Sequence, residues 1–344
     1  MLRGGILLFI TAFAACSGPP SDVRPFSNDP LSVKQGYMLA LGVPDGWPRA
    51  SAPVIVAVLD NGIDFEHPDL STRIWVNSNE VPGNGIDDDG DGHVDDVHGW
   101  NFLDNDGDVG LSAAELRASD FSHGTKVAGT IGAETNNNQG VASGCPVCTM
   151  MILKGRDFLR TGTSVASFAA AIDYAIAHGV RVLNVSDGVR VGSISDELVS
   201  ELEAAAQRAE QAGILIVASA GNEGSDTVLW PARIPSVLAV AAVDWSGVPA
   251  SFTNFGREVA VAAPGDYIET TMPGGKYGYF GGTSASAPIV TALAGMLFSE
   301  HPDWTPAQVA ARIEATAHPA KLESRPDIGS FGAGVVNFGD ALAE

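Results

Sequence analysis

The chain has 344 residues, of which 45% are hydrophobic, enough to bury a core and too many for a disordered segment. Its 41 acidic residues against 19 basic ones leave a net charge of -22, which repels phosphate backbones and argues against a nucleic-acid partner. The same excess suits cations, although most of it serves only to keep a surface soluble.

Residues 1–15 carry Arg3, an apolar run over 6–15 and small residues before Cys16, the layout of a signal peptide. Phe13-Ala14-Ala15-Cys16 resembles a bacterial lipobox, so Cys16 is expected to be acylated and to anchor the chain at the cell envelope. That anchor is placed in the outer membrane where the cell has one; ordinary cleavage after Ala15 and secretion is the alternative. Residues 16–28, rich in Pro, Ser and Gly, read as a tether, and 29–344 as one folded domain.

From residue 53 onward, buried strands are expected over 54–59, 147–153, 180–185, 214–218 and 237–243. Helical periodicity covers 164–178, 195–212 and 306–316, and longer helices are expected to open near His123 and Ser284. Such alternation predicts an α/β fold, a mostly parallel central sheet with helices on both faces. Cys145 and Cys148 form a C-x-x-C whose spacing suits a redox pair, half a zinc site or a local disulfide. No second C-x-x-C or spaced His pair follows, which argues against zinc, and export favours the disulfide.

Three segments carry chemistry: VIVAVLDNGID around Asp60, SHGTKVAGTIG around His123 and GGTSASAPIV around Ser284. Aspartate, histidine and serine are the set that activates a hydroxyl nucleophile, and their order excludes the two other common serine-hydrolase arrangements. Ser284 sits in Gly-Thr-Ser-Ala-Ser, not G-x-S-x-G. A fourth segment, ILIVASAGNEG, runs a buried strand into Asn222, whose amide is placed to donate to an oxyanion, or merely to turn the chain.

These four motifs, in this order and spacing, resemble the subtilisin-like serine proteases, or subtilases, from about Asp29 to the C-terminus. The resemblance implies a three-layer fold, endopeptidase action on polypeptide substrates, and calcium as a structural ion. It marks Ser186, Asp187 and Gly188 as a strand that pairs with substrate, and Ser219, Ala220 and Gly221 as a wall of the specificity pocket. It also implies a calcium site from the Asp69 carboxylate, the Asn137 amide and the carbonyls of Thr135, Gln139 and Val141. The chain departs from the family at Asn61, Lys126, Asp187 and Ala285. Asp187 replaces a hydrophobic residue and, if it faces the cleft, favours a basic substrate side chain. The tether is too short for the family's usual propeptide, so folding without one, or with help in trans, is expected.

Nine aspartates between Asp87 and Asp108 need a counter-charge. The first run matches D-x-D-x-D-G and is read as a calcium loop built from Asp87, Asp89, Asp91 and Asp95, with His98 where an EF-hand has Glu. The second, Asp104, Asp106 and Asp108 with Glu115, lacks the loop glycine. A monomer is expected. Two other classes fit parts of the sequence: a catalytically inactive binding module on the same fold, and a structural calcium-binding lipoprotein.

Overall fold

A computed structural model describes residues 24–117, 122–157, 162–163 and 165–343. The signal region, Cys16 and most of the tether lie outside them. Among the described residues no helix is long and apolar enough to cross a membrane.

Seven strands build the central sheet: β1 (Val54–Asp60), β2 (Gly99–Asn101), β3 (Cys148–Lys154), β4 (Val182–Val185), β5 (Leu215–Ser219), β6 (Val237–Val243) and β7 (Val261–Pro264). They lie in the order β2-β3-β1-β4-β5-β6-β7, all parallel. The five expected strands are present within one or two residues. Strands β2 and β7 were not expected: β2 spans three residues, and β7 ends on Pro264, a residue that signals a break rather than a strand.

Parallel strands are covered on both faces, and the side chains divide accordingly. Val54, Val56 and Val58 of β1 join one core cluster, while Ala57 and Leu59 join the other. The first cluster packs under helices α1 (His123–Gly132) and α4 (Thr283–Glu300), the second under α2 (Val165–Ala177) and α3 (Asp196–Gln211). Helix α4 is buried along nearly its whole length and has no polar face, as a central helix requires. The expected C-terminal amphipathic helix, α5 (Pro306–Ala315), starts at a capping box in which Thr305 accepts from the Gln308 N–H, and a short helix at Phe338–Ala341 follows it. A hairpin of β8 (Ile268–Met272) and β9 (Lys276–Phe280) leads directly into α4.

Chain order along the sheet reverses at β1, with β3 on one side and β4 on the other. The carboxyl ends of β1 and β4 therefore flank the crevice where open α/β sheets bind ligands. Asp60 ends β1, and Ser186 follows β4.

Candidate active site

Asp60 is almost fully buried, and its two carboxylate oxygens lie 3.0 and 2.7 Å from Nδ1 of His123. The pair joins the end of β1 to the first residue of α1. Gly124 is required between them, because a Cβ there would come within 2.2 Å of the Gly62 carbonyl oxygen. Asn61, a departure from the family pattern, has a clear role in this junction: its side-chain oxygen accepts the Gly124 N–H at 2.9 Å. Its own N–H donates to Asp60 Oδ1 at 2.9 Å. Phe280, at the end of β9, meets the His123 ring edge-on at 5.3 Å between centroids. The other unusual neighbour, Lys126, sets its Nζ 5.7 Å from the Phe280 ring, and burial lowers the pKa of its amine.

Ser284 lies in the first turn of α4, partly exposed. Its hydroxyl donates to the Ser186 carbonyl at 3.0 Å, and the Ser186 hydroxyl donates back to the Ser284 carbonyl at 3.1 Å. Ser186 is in turn fixed by the buried amide of Asn184, which donates to its Oγ at 2.9 Å. The nucleophile candidate and the end of β4 are thus tied together through short contacts.

Asn222 does more than turn the chain. Its side-chain oxygen accepts from the Thr283 N–H at 2.8 Å and the Thr283 hydroxyl at 3.0 Å. That fixes the amide plane and leaves the Nδ2 donor with no acceptor among the described residues, close to the Gly282 backbone beside Ser284. Thr283 Oγ1 also accepts the Gly221 N–H at 3.2 Å, so one hydroxyl orders both loops. Asn254, fully buried, grips the same loop: its amide donates to the carbonyls of Ala220 and Thr227 and to Glu223, and its oxygen accepts the Glu223 N–H. Thr283 and Asn254 carry no sequence signal for these roles, because their chemistry is orientation, which no motif spacing reveals.

The expected substrate-binding residues flank this centre. Ser219 closes β5, and the Ala220 and Gly221 carbonyls accept from Leu229 and Asn254. The backbone N–H and C=O of Gly188 make no hydrogen bond among the described residues. Asp187 lines a small, otherwise apolar pocket with Val165, Phe168, Leu202 and Trp230.

The expected cation sites divide. Asp69 is fully buried and accepts from the Asn137 amide at 2.8 Å and the Val141 N–H at 2.9 Å. The carbonyls of Thr135, Gln139 and Val141 accept no hydrogen bond among the described residues, whereas that of Gly140 takes the Leu31 N–H. Asp29, not foreseen, pins the loop by accepting the N–H groups of Asn136 and Asn137 at 2.9 and 3.0 Å.

In the aspartate-rich insertion the four expected carboxylates do not form one set. Asp87 and Asp89 gather with Glu80, whose carboxylate the preceding turn supplies. Asp91 gathers instead with His93 and Asp96. Asp95 takes a left-handed backbone, φ 56°, and its oxygens accept from the N–H groups of Asn84 and Gly85. The second acidic run closes on Asn101, whose amide donates to Asp104 and Asp106, while Glu115 caps the Ser112 N–H. Cys145 and Cys148 are disulfide-bonded, with S–S 2.00 Å, and both are fully buried.

A buried carboxylate on an imidazole, a serine opening a helix and an anchored amide donor, all at the switch point of a parallel sheet, define a serine hydrolase site. Residues 51–334 match the Subtilase family, and the chain belongs to it. Subtilisin NAT of Bacillus subtilis subsp. natto is 36% identical over 325 residues, covering 88% of this chain and 75% of that protein. Thermitase of Thermoactinomyces vulgaris is 32% identical over 292 residues, 84% of this chain and 91% of its own. Among solved structures, a protease from Pseudoalteromonas arctica superposes with a TM-score of 0.73 at 26% identity, covering 92% of this chain and 99% of that one. The fold is subtilisin-like and the protein is a serine endopeptidase, as expected from the sequence.

Proposed function

We propose that Asp60, His123 and Ser284 cleave peptide bonds as a triad, with Asn222 as oxyanion donor, in a calcium-stabilised protease tethered to a membrane through Cys16. The observation that carries the catalytic reading is the seating of His123 Nδ1 on both oxygens of buried Asp60. That contact keeps the Nδ1 proton in place and leaves Nε2 to take the Ser284 proton as the hydroxyl leaves the Ser186 carbonyl. Asp60 then stabilises the imidazolium, and Asn222 Nδ2 with the N-terminal end of α4 receives the developing oxyanion. Substrate backbone pairs with the open edge at Gly188, an instance of strand addition.

Asn222→Ala tests the oxyanion role. It is expected to lower kcat by about 10²–10³-fold with little change in KM, because the donor acts on the transition state. A loss confined to KM would assign Asn222 to ground-state binding instead.

The residues of the loop beside Asp69 fit a hard cation: that buried carboxylate is joined to the loop through Asn137 and Val141, and the carbonyls of Thr135, Gln139 and Val141 accept no hydrogen bond among the described residues. When bound, calcium there would supply charge neutralisation and hold the 135–141 loop; Glu80, Asp87 and Asp89 offer a second all-oxygen group. A ligand held only by the native state at one hundred times its Kd stabilises by about 2.7 kcal/mol. Chelation is therefore expected to lower Tm, and Asp69→Asn to remove most of that dependence; a chelation-insensitive Tm would reject the role.

The pocket that Asp187 lines supports a specificity role for it, with its carboxylate favouring a basic substrate side chain. Peptide-library profiling of Asp187→Leu is expected to shift the preference from Lys or Arg toward apolar residues, and an unchanged profile would refute this.

A further inference from the structure

The insertion contains a second cluster whose chemistry is not that of the carboxylate group around Glu80. His93 Nδ1 lies 3.0 Å from Asp91 Oδ1. His178, which follows the end of α2, brings its Nε2 to 3.0 Å from Asp91 Oδ2 and 3.7 Å from Asp96 Oδ2. One ligand atom each from Asp91, His93 and Asp96 falls within 4.8 Å of the others. A four-coordinate cation with N and O bonds near 2.0–2.1 Å keeps its ligand atoms about 3.4 Å apart, so Asp91, His93 and Asp96 form a group such an ion collects, and His178 Nε2 stands beside that group, within 3.7 Å of two of its carboxylates.

We propose that Asp91, His93, Asp96 and His178 form a structural site for a divalent d-block cation of the zinc class. The ligand set decides the class: calcium takes six to eight oxygens, whereas imidazole nitrogen suits zinc and its neighbours. The surroundings are those of a built site. Asp96 is fully buried, with Oδ1 accepting from the Asn77 amide at 2.8 Å and Oδ2 accepting from the Tyr174 hydroxyl, so both oxygens are oriented by outer partners. Both imidazoles are held by rings: His93 lies 4.6 Å from Trp100 and 4.9 Å from Tyr174, and His178 lies 4.3 Å from Tyr174 and 5.2 Å from Trp75. A single nitrogen of His178 faces two carboxylates and can give a proton to only one. The ion would fasten the insertion to the end of α2, where the chain turns toward β4 and the substrate-binding edge.

Zinc and calcium can be separated on the full chain in a Ser284→Ala background, which prevents self-digestion. Equilibrium dialysis against Zn²⁺ with excess Ca²⁺ is expected to leave one zinc per chain, and Co²⁺ in its place to give the visible absorption of a four-coordinate N/O site. His178→Gln is expected to weaken zinc retention at least about tenfold, in line with the loss of one of four ligands. His93→Asp, which makes the set richer in oxygen, is expected to let calcium compete. If His178→Gln loses its cooperative melt, His93→Asp decides alone. Failure to retain zinc, stoichiometric displacement of zinc by calcium in the parent chain, or equal zinc retention in folded histidine variants would overturn the proposal.

Discussion

Ser284→Ala is expected to lower kcat on a peptide substrate by about 10⁶-fold while leaving KM nearly unchanged, the scale found when a protease of this family loses its nucleophile. Among the described residues the neighbouring hydroxyls are committed elsewhere, Ser186 Oγ to the Ser284 carbonyl and the Asn184 amide. Thr283 Oγ1 is committed to Asn222 and Gly221, and Ser286 is fully buried with its hydroxyl on the Ala263 carbonyl. The residual rate should still exceed the uncatalysed one, because Asn222 and the helix terminus remain to stabilise an oxyanion formed by water attack. Loss of that residual rate in a Ser284→Ala/Asn222→Ala double variant would show that the donor works without the nucleophile. A kcat reduced by less than about tenfold would remove Ser284 from the chemistry.

Asp60→Asn is the second large effect, expected at about 10⁴-fold in kcat with the fold intact. The substitution keeps volume and shape at a site with almost no solvent access, so packing should survive. What changes is the proton map. Asp60 Oδ1 already accepts the Asn61 N–H, so the asparagine oxygen will take that place and turn its NH₂ toward His123 Nδ1. An NH₂ facing Nδ1 requires Nδ1 to accept, which puts the imidazole proton on Nε2, the atom that must be bare to receive the Ser284 proton. Kinetics alongside a thermal melt separate this from unfolding. A variant with native Tm and near-native kcat would show that Asp60 orients nothing.

The sheet was legible because its strands are short, apolar runs bounded by turns, and their side chains alternate faces. The helices over 195–212 and 306–316 were legible from their periodicity, and the structure adds their caps, Ser195 and Thr305, whose side chains accept the N–H three residues on. What escaped the sequence depends on distance along the chain. Glu80 reaches Asp87 and Asp89 across a turn that no spacing rule describes, and His178 meets Asp91 only after the fold brings the end of α2 to the insertion. Strand β7 and the β8–β9 hairpin were lost among Pro and Gly residues that usually mark loops. Asn61 was visible as a departure, but its bond to Gly124 could not be inferred until β1 and α1 were placed end to end. The three residues proposed as a triad were readable because each sits in a local motif, and the structure adds the contact that aligns Asp60 with His123.

The central claim is that Ser284 is activated by this constellation, and an activity-based fluorophosphonate probe tests it most directly. The folded chain in calcium is predicted to label rapidly and at one site, with the modified peptide containing Ser284, and labelling is predicted to fall sharply in Asp60→Asn and to vanish in Ser284→Ala. A folded wild-type chain that fails to label, or one that labels equally well after Ser284→Ala, would contradict the account and favour a binding module built on a protease fold.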